Sequence, residues 1–168
     1  MPSTYDKIQT TTLGSSQANV TFTGIASTYT DLVLVADFTM ASPSGTVYIV
    51  GRVGNGSIDT GSNYCSTVMV GNGSTATSYQ TGSVTYLQYD TYITGSNRAM
   101  TIANFQNYSN TSTFKTNITR TSSAAANASA IVGLWRSTSA INQIRLYDFT
   151  GNSFATGSTF TLYGIKAA

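Results

Sequence analysis

Turn signals interrupt this chain at fairly regular intervals, and the runs between them are short and rich in β-branched and aromatic residues. Such residues favour strands, whereas Gly, Pro and Asn favour tight turns. Glu is absent and Lys is scarce, so strong helix formers are few. About ten to twelve short strands separated by turns predict an all-β, antiparallel β-sandwich, with a jelly roll as the favoured topology. The turn signals lie at 42–45, 54–56, 71–73, 95–97 and 151–152.

Alternation of side chains supports the strand prediction and indicates the core. The runs 32–36 and 47–50 are apolar on both faces, which is typical of central strands. Between 114 and 119, Phe114, Thr116 and Ile118 alternate with Lys115, Asn117 and Thr119. Trp135 shares its parity with Ile131 and is predicted to be a core or interface anchor.

The segment 84–94 carries the candidate contact residues. Leu87, Tyr89 and Ile93 share one parity and are expected to face the core. The opposite parity presents aromatic, amide and carboxylate groups, which sugar binding or a subunit contact would use, although ordinary strand-surface tyrosines would give the same pattern. These candidate contact residues are Tyr86, Gln88, Asp90 and Tyr92.

The length of 168 residues suits one domain, so we expect a single β-sandwich over 1–168. The first clear strand begins at Val20, and residues 1–16 are predicted to form an extended N-terminal arm. The stretch 122–130 is compatible with either a helical turn or a loop. Cys65 is alone and is predicted to be a small buried residue without a disulfide.

The charge content narrows the classes of function. Only 8% of residues are charged and His is absent, which removes most acid-base and metal-ligand chemistry, so we expect neither an enzyme nor a cofactor. A net charge of +2 is spread over scattered cations, which argues against nucleic acid as a partner. No segment approaches the ~20 apolar residues of a membrane helix, and the N-terminus lacks the pattern of a signal peptide.

One tetrapeptide, Asp59-Thr60-Gly61-Ser62, has the form of the aspartic-protease catalytic loop. Those enzymes need two carboxylates that share a proton, so a single motif would require a symmetric dimer. The preceding Gly54-Asn55-Gly56-Ser57 is a turn rather than the apolar strand that the protease needs, and we predict that 51–56 forms a hairpin. A turn capped by Asp59 is the favoured interpretation, and calcium binding by Asp59 or Asp90 is a further alternative.

The chain resembles small structural proteins of marine tailed bacteriophages, especially cyanophages. The resemblance runs from end to end, and the closing nonapeptide is its most specific part. It also covers the segment 59–64, and so suggests that Asp59 belongs to a family feature unrelated to proteolysis. The segments that carry it are 1–5, 11–15, 20–25, 29–35, 59–64, 133–138 and 160–168.

The resemblance implies a virion component that is made in the host cytoplasm and released in the phage particle. We expect a capsid decoration (cement) protein on the head surface, a homotrimer or other symmetric oligomer, with the major capsid protein as its partner. Many weak contacts can hold such a protein through avidity. The alternative is a tail-fibre or receptor-binding component that recognises host-surface glycans.

Overall fold

A computed structural model describes residues 4–43, 45–89, 93–94, 97–123 and 125–166, and it confirms the all-β prediction. Within these residues the regular structure consists of strands without a helix. Eleven strands are at least four residues long: β1 (Tyr5–Thr12), β2 (Asn19–Phe22), β3 (Asp31–Phe38), β6 (Ile49–Asn55), β8 (Tyr64–Gly71), β9 (Ala76–Val84), β12 (Ala99–Phe105), β13 (Lys115–Ser123), β14 (Asn127–Trp135), β15 (Gln143–Asp148) and β17 (Thr159–Ile165). Two-residue strands complete the series: β4 (Met40–Ala41), β5 (Thr46–Val47), β7 (Ser57–Ile58), β10 (Leu87–Gln88), β11 (Ile93–Thr94) and β16 (Ser153–Phe154).

The strands form two main antiparallel sheets. The large sheet has the order β1-β17-β3-β12-β13-β14-β8-β9, and the small sheet has the order β10-β6-β15-β2, with β7 paired to β6. Apolar residues from both sheets form one buried cluster, as in a β-sandwich. The jelly-roll connectivity stays a prediction.

The first apolar run, 32–36, occupies a central strand as predicted, whereas the second, 47–50, does so only in its last two residues, because Val47 belongs to β5 and Tyr48 is exposed between the strands. In the large sheet β3 lies between β17 and β12, and Leu32, Leu34 and Ala36 are fully buried. In the small sheet β6 lies between β10 and β15, and Ile49 and Val50 are buried at its start. These strands therefore supply the middle of each layer.

The N-terminal segment differs from the prediction of an arm over 1–16. Residues Tyr5–Thr12 form an edge strand of the large sheet, paired with β17 from Tyr5 opposite Ile165 to Thr12 opposite Thr159. The strand was hard to recognise because Ile8 is its only aliphatic residue, so it has almost no apolar alternation. An edge strand needs little burial, since backbone hydrogen bonds to one neighbour hold it.

Strand β13 has an unusual distribution of side chains. The predicted alternation is present, but its polar members Lys115, Asn117 and Thr119 are buried, whereas Thr116 and Ile118 are exposed. The buried amine of Lys115 donates hydrogen bonds to the backbone carbonyls of residues 113 and 138. Asn117 Nδ2 donates to Thr119 Oγ1 at 2.8 Å. These internal bonds offset part of the cost of burying polar groups.

The structure also answers the predictions for the stretch 122–130 and for Cys65. The stretch 122–130 contains a tight turn between β13 and β14, where Ala126 N donates to Ser123 O at 2.8 Å. Cys65 is free but half-buried rather than buried. Its neighbours Tyr64 and Ser66 point into the core, so the alternation of β8 turns Cys65 to the outer face.

Candidate functional site

The outer face of the small sheet carries an aromatic groove of about 230 Å³. Tyr48 precedes β6, Val50 lies within it, and Phe149 directly follows β15. Tyr86 and Gln88 come from the turn before β10 and from β10 itself. Strand β9, at the edge of the large sheet, supplies the opposite wall. The aromatic groove is lined by Tyr48, Val50, Tyr79, Thr81, Tyr86, Gln88 and Phe149.

The rings of the aromatic groove are packed against one another yet remain accessible. Tyr86 and Phe149 have ring centroids 5.0 Å apart with an interplanar angle of 51°. Phe149 is 56% exposed, and Tyr48 and Tyr79 are 37% and 40% exposed. Large exposed aromatic surfaces commonly mark a site that contacts a ligand or another protein.

Asp148 positions one wall of the aromatic groove. Its side chain is buried, and Oδ1 accepts a 2.9 Å hydrogen bond from Tyr48 N. Oδ2 accepts bonds from Thr150 Oγ1 at 2.5 Å and from the backbone and side-chain nitrogens of Asn152. Phe149 N in turn donates to Tyr48 O at 2.9 Å. One carboxylate thus fixes the backbone beneath two of the exposed rings.

These hydrogen bonds also decide the ionisation of Asp148. Burial raises the pKa of the carboxyl, but donors from Thr150, Asn152 and the Tyr48 backbone outweigh burial and lower the pKa below its ordinary value. The group is therefore a stable anion near neutral pH. Its negative charge is satisfied by the hydrogen-bond donors of the same turn, Thr150 and Asn152.

Arg52 fixes the segment that carries Tyr86. Its Nε donates a 2.8 Å hydrogen bond to Thr85 O, and a terminal nitrogen lies 3.3 Å from Thr85 Oγ1. The guanidinium carbon also lies 5.1 Å from the centroid of the Tyr147 ring, a cation-π distance. Arg52 thereby holds the turn before β10 against the small sheet.

Gln88 joins the two walls of the aromatic groove. Its Nε2 donates a 2.8 Å hydrogen bond to the Tyr79 hydroxyl, and its backbone N donates to Ser66 Oγ. The side chain is buried, although the sequence placed it on an exposed face. The reason is that Tyr79, from β9, covers it.

The structure brings part of the predicted contact set together. Tyr86 and Gln88 line the aromatic groove, and Leu87 and Tyr89 face the core as the parity predicts. Asp90 and Tyr92 lie outside the described residues, as does the side chain of Ile93. The predicted turn at 95–97 falls largely outside them as well.

Sequence reasoning missed Tyr48, Tyr79 and Phe149. Tyr48 was hidden inside an apolar run, although its parity opposite Val47 and Ile49 is a usable signal. Tyr79 and Phe149 come from segments far from Tyr86 in sequence or on another sheet, and no local sequence pattern predicts that they line the same groove as Tyr86. Their contribution depends on strand order, which the sequence does not display.

A second surface, the apolar outer face, lies on the large sheet. Its exposed side chains come from four adjacent strands, and Ile118 pairs directly with Val132 across β13 and β14. Ala130 pairs with Met69 on the next strand, beside a shallow groove of about 430 Å³. The apolar outer face consists of Met69, Met100, Ile118, Ala130 and Val132.

The Asp59 motif forms an anchored turn. Asp59 Oδ1 accepts a 2.8 Å bond from Gly61 N, the geometry of the predicted Asx turn. Oδ2 accepts bonds from Trp135 Nε1 at 2.7 Å and Asn63 Nδ2 at 2.9 Å. Burial raises the pKa of Asp59, but the donors of Trp135, Asn63 and Gly61 lower it overall. Tyr64 Oη donates to Asp59 O, which ties the turn to β8.

The described residues contain no cluster of three or more acidic or cysteine side chains that could hold a metal ion. In the same part of the chain no helix has the length and apolarity to cross a membrane. The hairpin predicted over 51–56 is displaced: residues 51–55 belong to the single strand β6, and the turn lies at Gly56, in the left-handed region at φ 74°, where β7 pairs back onto the end of β6.

Comparisons with known proteins add little to this picture. No family model matches the chain, and no curated protein sequence matches it significantly. A solved structure titled as an engineered GH43 glycoside hydrolase with endo-xylanase and exo-arabinofuranosidase activity is similar at a TM-score of 0.41 and 7% identity. The match covers 89% of this chain and 34% of that one, so this chain spans about a third of its length.

Proposed function

We propose that this chain is a capsid decoration protein on the head surface of a bacteriophage virion. The proposal has two supports: the resemblance of its sequence to phage virion proteins, and the apolar outer face of the large sheet. In this role the protein forms a symmetric oligomer and contacts the major capsid protein. It acts by contact and carries out no reaction.

The apolar outer face is the observation that carries the proposal. On β13, Ile118 is 50% exposed while Asn117 and Thr119 are buried, and Val132 beside Ile118 is 52% exposed. A strand of an isolated domain ordinarily has the reverse arrangement, with its aliphatic residues inside. The exposed Arg120 follows Ile118 on the same face and pairs with Ala130, so the face combines apolar side chains with one cation. Exposed apolar pairs such as Ile118 and Val132 are typical of protein contact surfaces. A neighbouring subunit that covers this face would bury them.

The copy number of the chain in purified particles tests this proposal. A decoration protein should be present in numbers comparable with the major capsid protein, measured by quantitative gel densitometry or mass spectrometry. A few copies per particle would contradict the decoration role and favour a fibre component.

Variants of the apolar outer face test where the contact lies. Ile118→Asp places a carboxylate beside Val132 within the proposed interface, so it should abolish incorporation into particles and reduce self-association in light scattering. Ser27→Asp adds the same charge at an exposed position in the loop between β2 and β3, and it should have no effect. Equal incorporation of both variants would argue against the interface.

A second candidate function is recognition of host-surface glycans, and the aromatic groove favours it. Tyr86 was expected to take part in such contacts, and it lies beside three other exposed or half-exposed rings. Pockets with aromatic walls and a few fixed polar groups are suited to small polar ligands. A receptor-binding protein would use this face and would be present in few copies.

A further inference from the structure

We propose that the aromatic groove binds a neutral sugar ring within a longer polysaccharide, with Tyr86 and Phe149 as the stacking residues. The inference deepens the glycan-binding candidate by naming the chemical class of the ligand and the residues that contact it. It does not depend on where the protein sits on a particle.

The first argument concerns the shape of the Tyr86 and Phe149 pair. Their rings lie 5.0 Å apart and are inclined at 51°, so together they form an angled apolar wall. The C–H groups of a pyranose ring make one of its faces apolar, and such a face packs on aromatic rings while its hydroxyls remain at the rim. Large aromatic side chains supply much contact area at low conformational cost.

The second argument concerns charge. Every described residue that lines the aromatic groove is uncharged. Among the described residues, the neighbouring Arg52 and Asp148 are engaged elsewhere, because Arg52 is bonded to Thr85 and Asp148 is bonded to Tyr48, Thr150 and Asn152. An anionic sugar would lose its hydration in the groove without gaining a counter-charge. A neutral sugar loses less and is favoured.

The third argument is that the site is held in place before any ligand arrives. Asp148 fixes the backbone of Tyr48, Arg52 fixes the residue before Tyr86, and Gln88 holds the Tyr79 hydroxyl at 2.8 Å. A backbone that is already fixed loses little freedom on binding, so more of the contact energy appears as affinity. Gln88 is a positioning residue here, because it acts through Tyr79.

The fourth argument is size. The volume of about 230 Å³ lies below the ~300–1,000 Å³ of pockets that enclose a drug-sized ligand. The groove therefore accommodates one ring, and the further rings of a polysaccharide would lie outside it. Repeated copies of the protein on one particle would add avidity.

The test is a glycan microarray of neutral and anionic oligosaccharides probed with the purified protein, followed by calorimetric titration of the best neutral ligand. We expect binding to neutral oligosaccharides, and a loss of about tenfold or more in affinity for Phe149→Ala and for Tyr86→Ala. Phe114→Ala is the matched control, because Phe114 is 51% exposed and lies outside the aromatic groove. Tyr86→Phe retains the ring and should retain binding.

Three results would overturn the proposal: binding to none of the neutral oligosaccharides, binding to anionic ones alone, or equal affinities of wild type, Phe149→Ala and Tyr86→Ala. If Phe149→Ala fails to fold, Phe149→Leu keeps the apolar bulk without the flat ring and decides the question. Particle copy number is measured separately. A high copy number without sugar binding defeats this inference and leaves the decoration role, and the opposite result does the reverse.

Discussion

The indole nitrogen of Trp135 donates a 2.7 Å hydrogen bond to Oδ2 of Asp59, and so joins two segments 76 positions apart in sequence. Trp135 ends β14 and is buried, while Asp59 caps the turn that follows β7. The motif that resembles a protease loop thus has a structural use in this chain. Its carboxylate accepts hydrogen bonds from three residues and ties the turn to the large sheet.

Replacement of Asp59 by Ala should therefore destabilise the fold. The change removes the acceptor of the part-buried indole N–H of Trp135, which costs about 1 kcal/mol of unfolding free energy. Trp135 is the only Trp in the chain, so its fluorescence during urea unfolding reports directly on this site. Thr60→Ala alters the exposed neighbouring residue and should unfold like the wild type. Matching curves for Asp59→Ala and wild type would show that the bond contributes nothing.

Acid should weaken the fold through Asp148. Its pKa in the folded protein is lowered from 3.8, so the folded state binds fewer protons than the unfolded state as pH falls. The stabilisation is fully present above that value and is lost as pH drops through the folded pKa. Asp148→Asn should remove this contribution, so that its stability is lower than wild type at pH 6 and the difference shrinks in acid.

Thermal unfolding of both proteins between pH 6 and pH 2 measures that difference. Asp37→Asn is a suitable control, because Asp37 forms an ion pair with Arg98 at the surface and should keep the acid response of Asp148. A constant gap between wild type and Asp148→Asn at every pH would mean that the carboxylate does not titrate in this way.

The fold class was predictable because turn residues and alternation are local signals. The run from Leu32 to Ala36 was recognisable as a central strand because both of its faces are apolar. In β13, alternation showed that Ile118 and Asn117 face opposite ways, but not that Asn117 would face inward. That choice depends on neighbouring strands, above all on the space left by Gly133, directly opposite Asn117.

The aromatic groove was predictable only in part, for the same physical reason. The alternation that places Tyr86 on the outer face is visible in the sequence. Its contact with Phe149 is not, because the two residues are 63 positions apart and meet only through the pairing of strands. Gln88 shows most clearly what alternation cannot predict. Its side chain points to the predicted face of the sheet, but it is buried there because Tyr79 covers it. Burial on an outer face is a tertiary property.

A side chain at Gly133 should destabilise the fold. A Cβ there would lie 2.2 Å from Asn117 Oδ1 and 2.8 Å from a methyl carbon of Leu87, so Gly133→Ala must displace buried atoms at a cost of about 1–3 kcal/mol. Gly82→Ala is the control, because that strand glycine has nothing within 4 Å of its would-be Cβ. If the contact with Asn117 is responsible, Asn117→Ala combined with Gly133→Ala should lose less than the sum of the two single changes. Strict additivity in urea unfolding would place the strain elsewhere.

Removal of the buried hydroxyl of Thr101 should stabilise the fold. Its Oγ1 is buried and has no hydrogen-bond partner among the described residues, so the folded protein bears the cost of removing it from water. Thr101→Val replaces the hydroxyl with a methyl group of similar size and should raise the unfolding free energy by about 1 kcal/mol. Thr119→Val is the matched comparison, because Thr119 Oγ1 accepts a bond from Asn117 Nδ2 and its loss should destabilise. Urea midpoints that move in opposite directions would bear out this difference, whereas a lower midpoint for Thr101→Val would mean that its hydroxyl is bonded, for instance to an internal water.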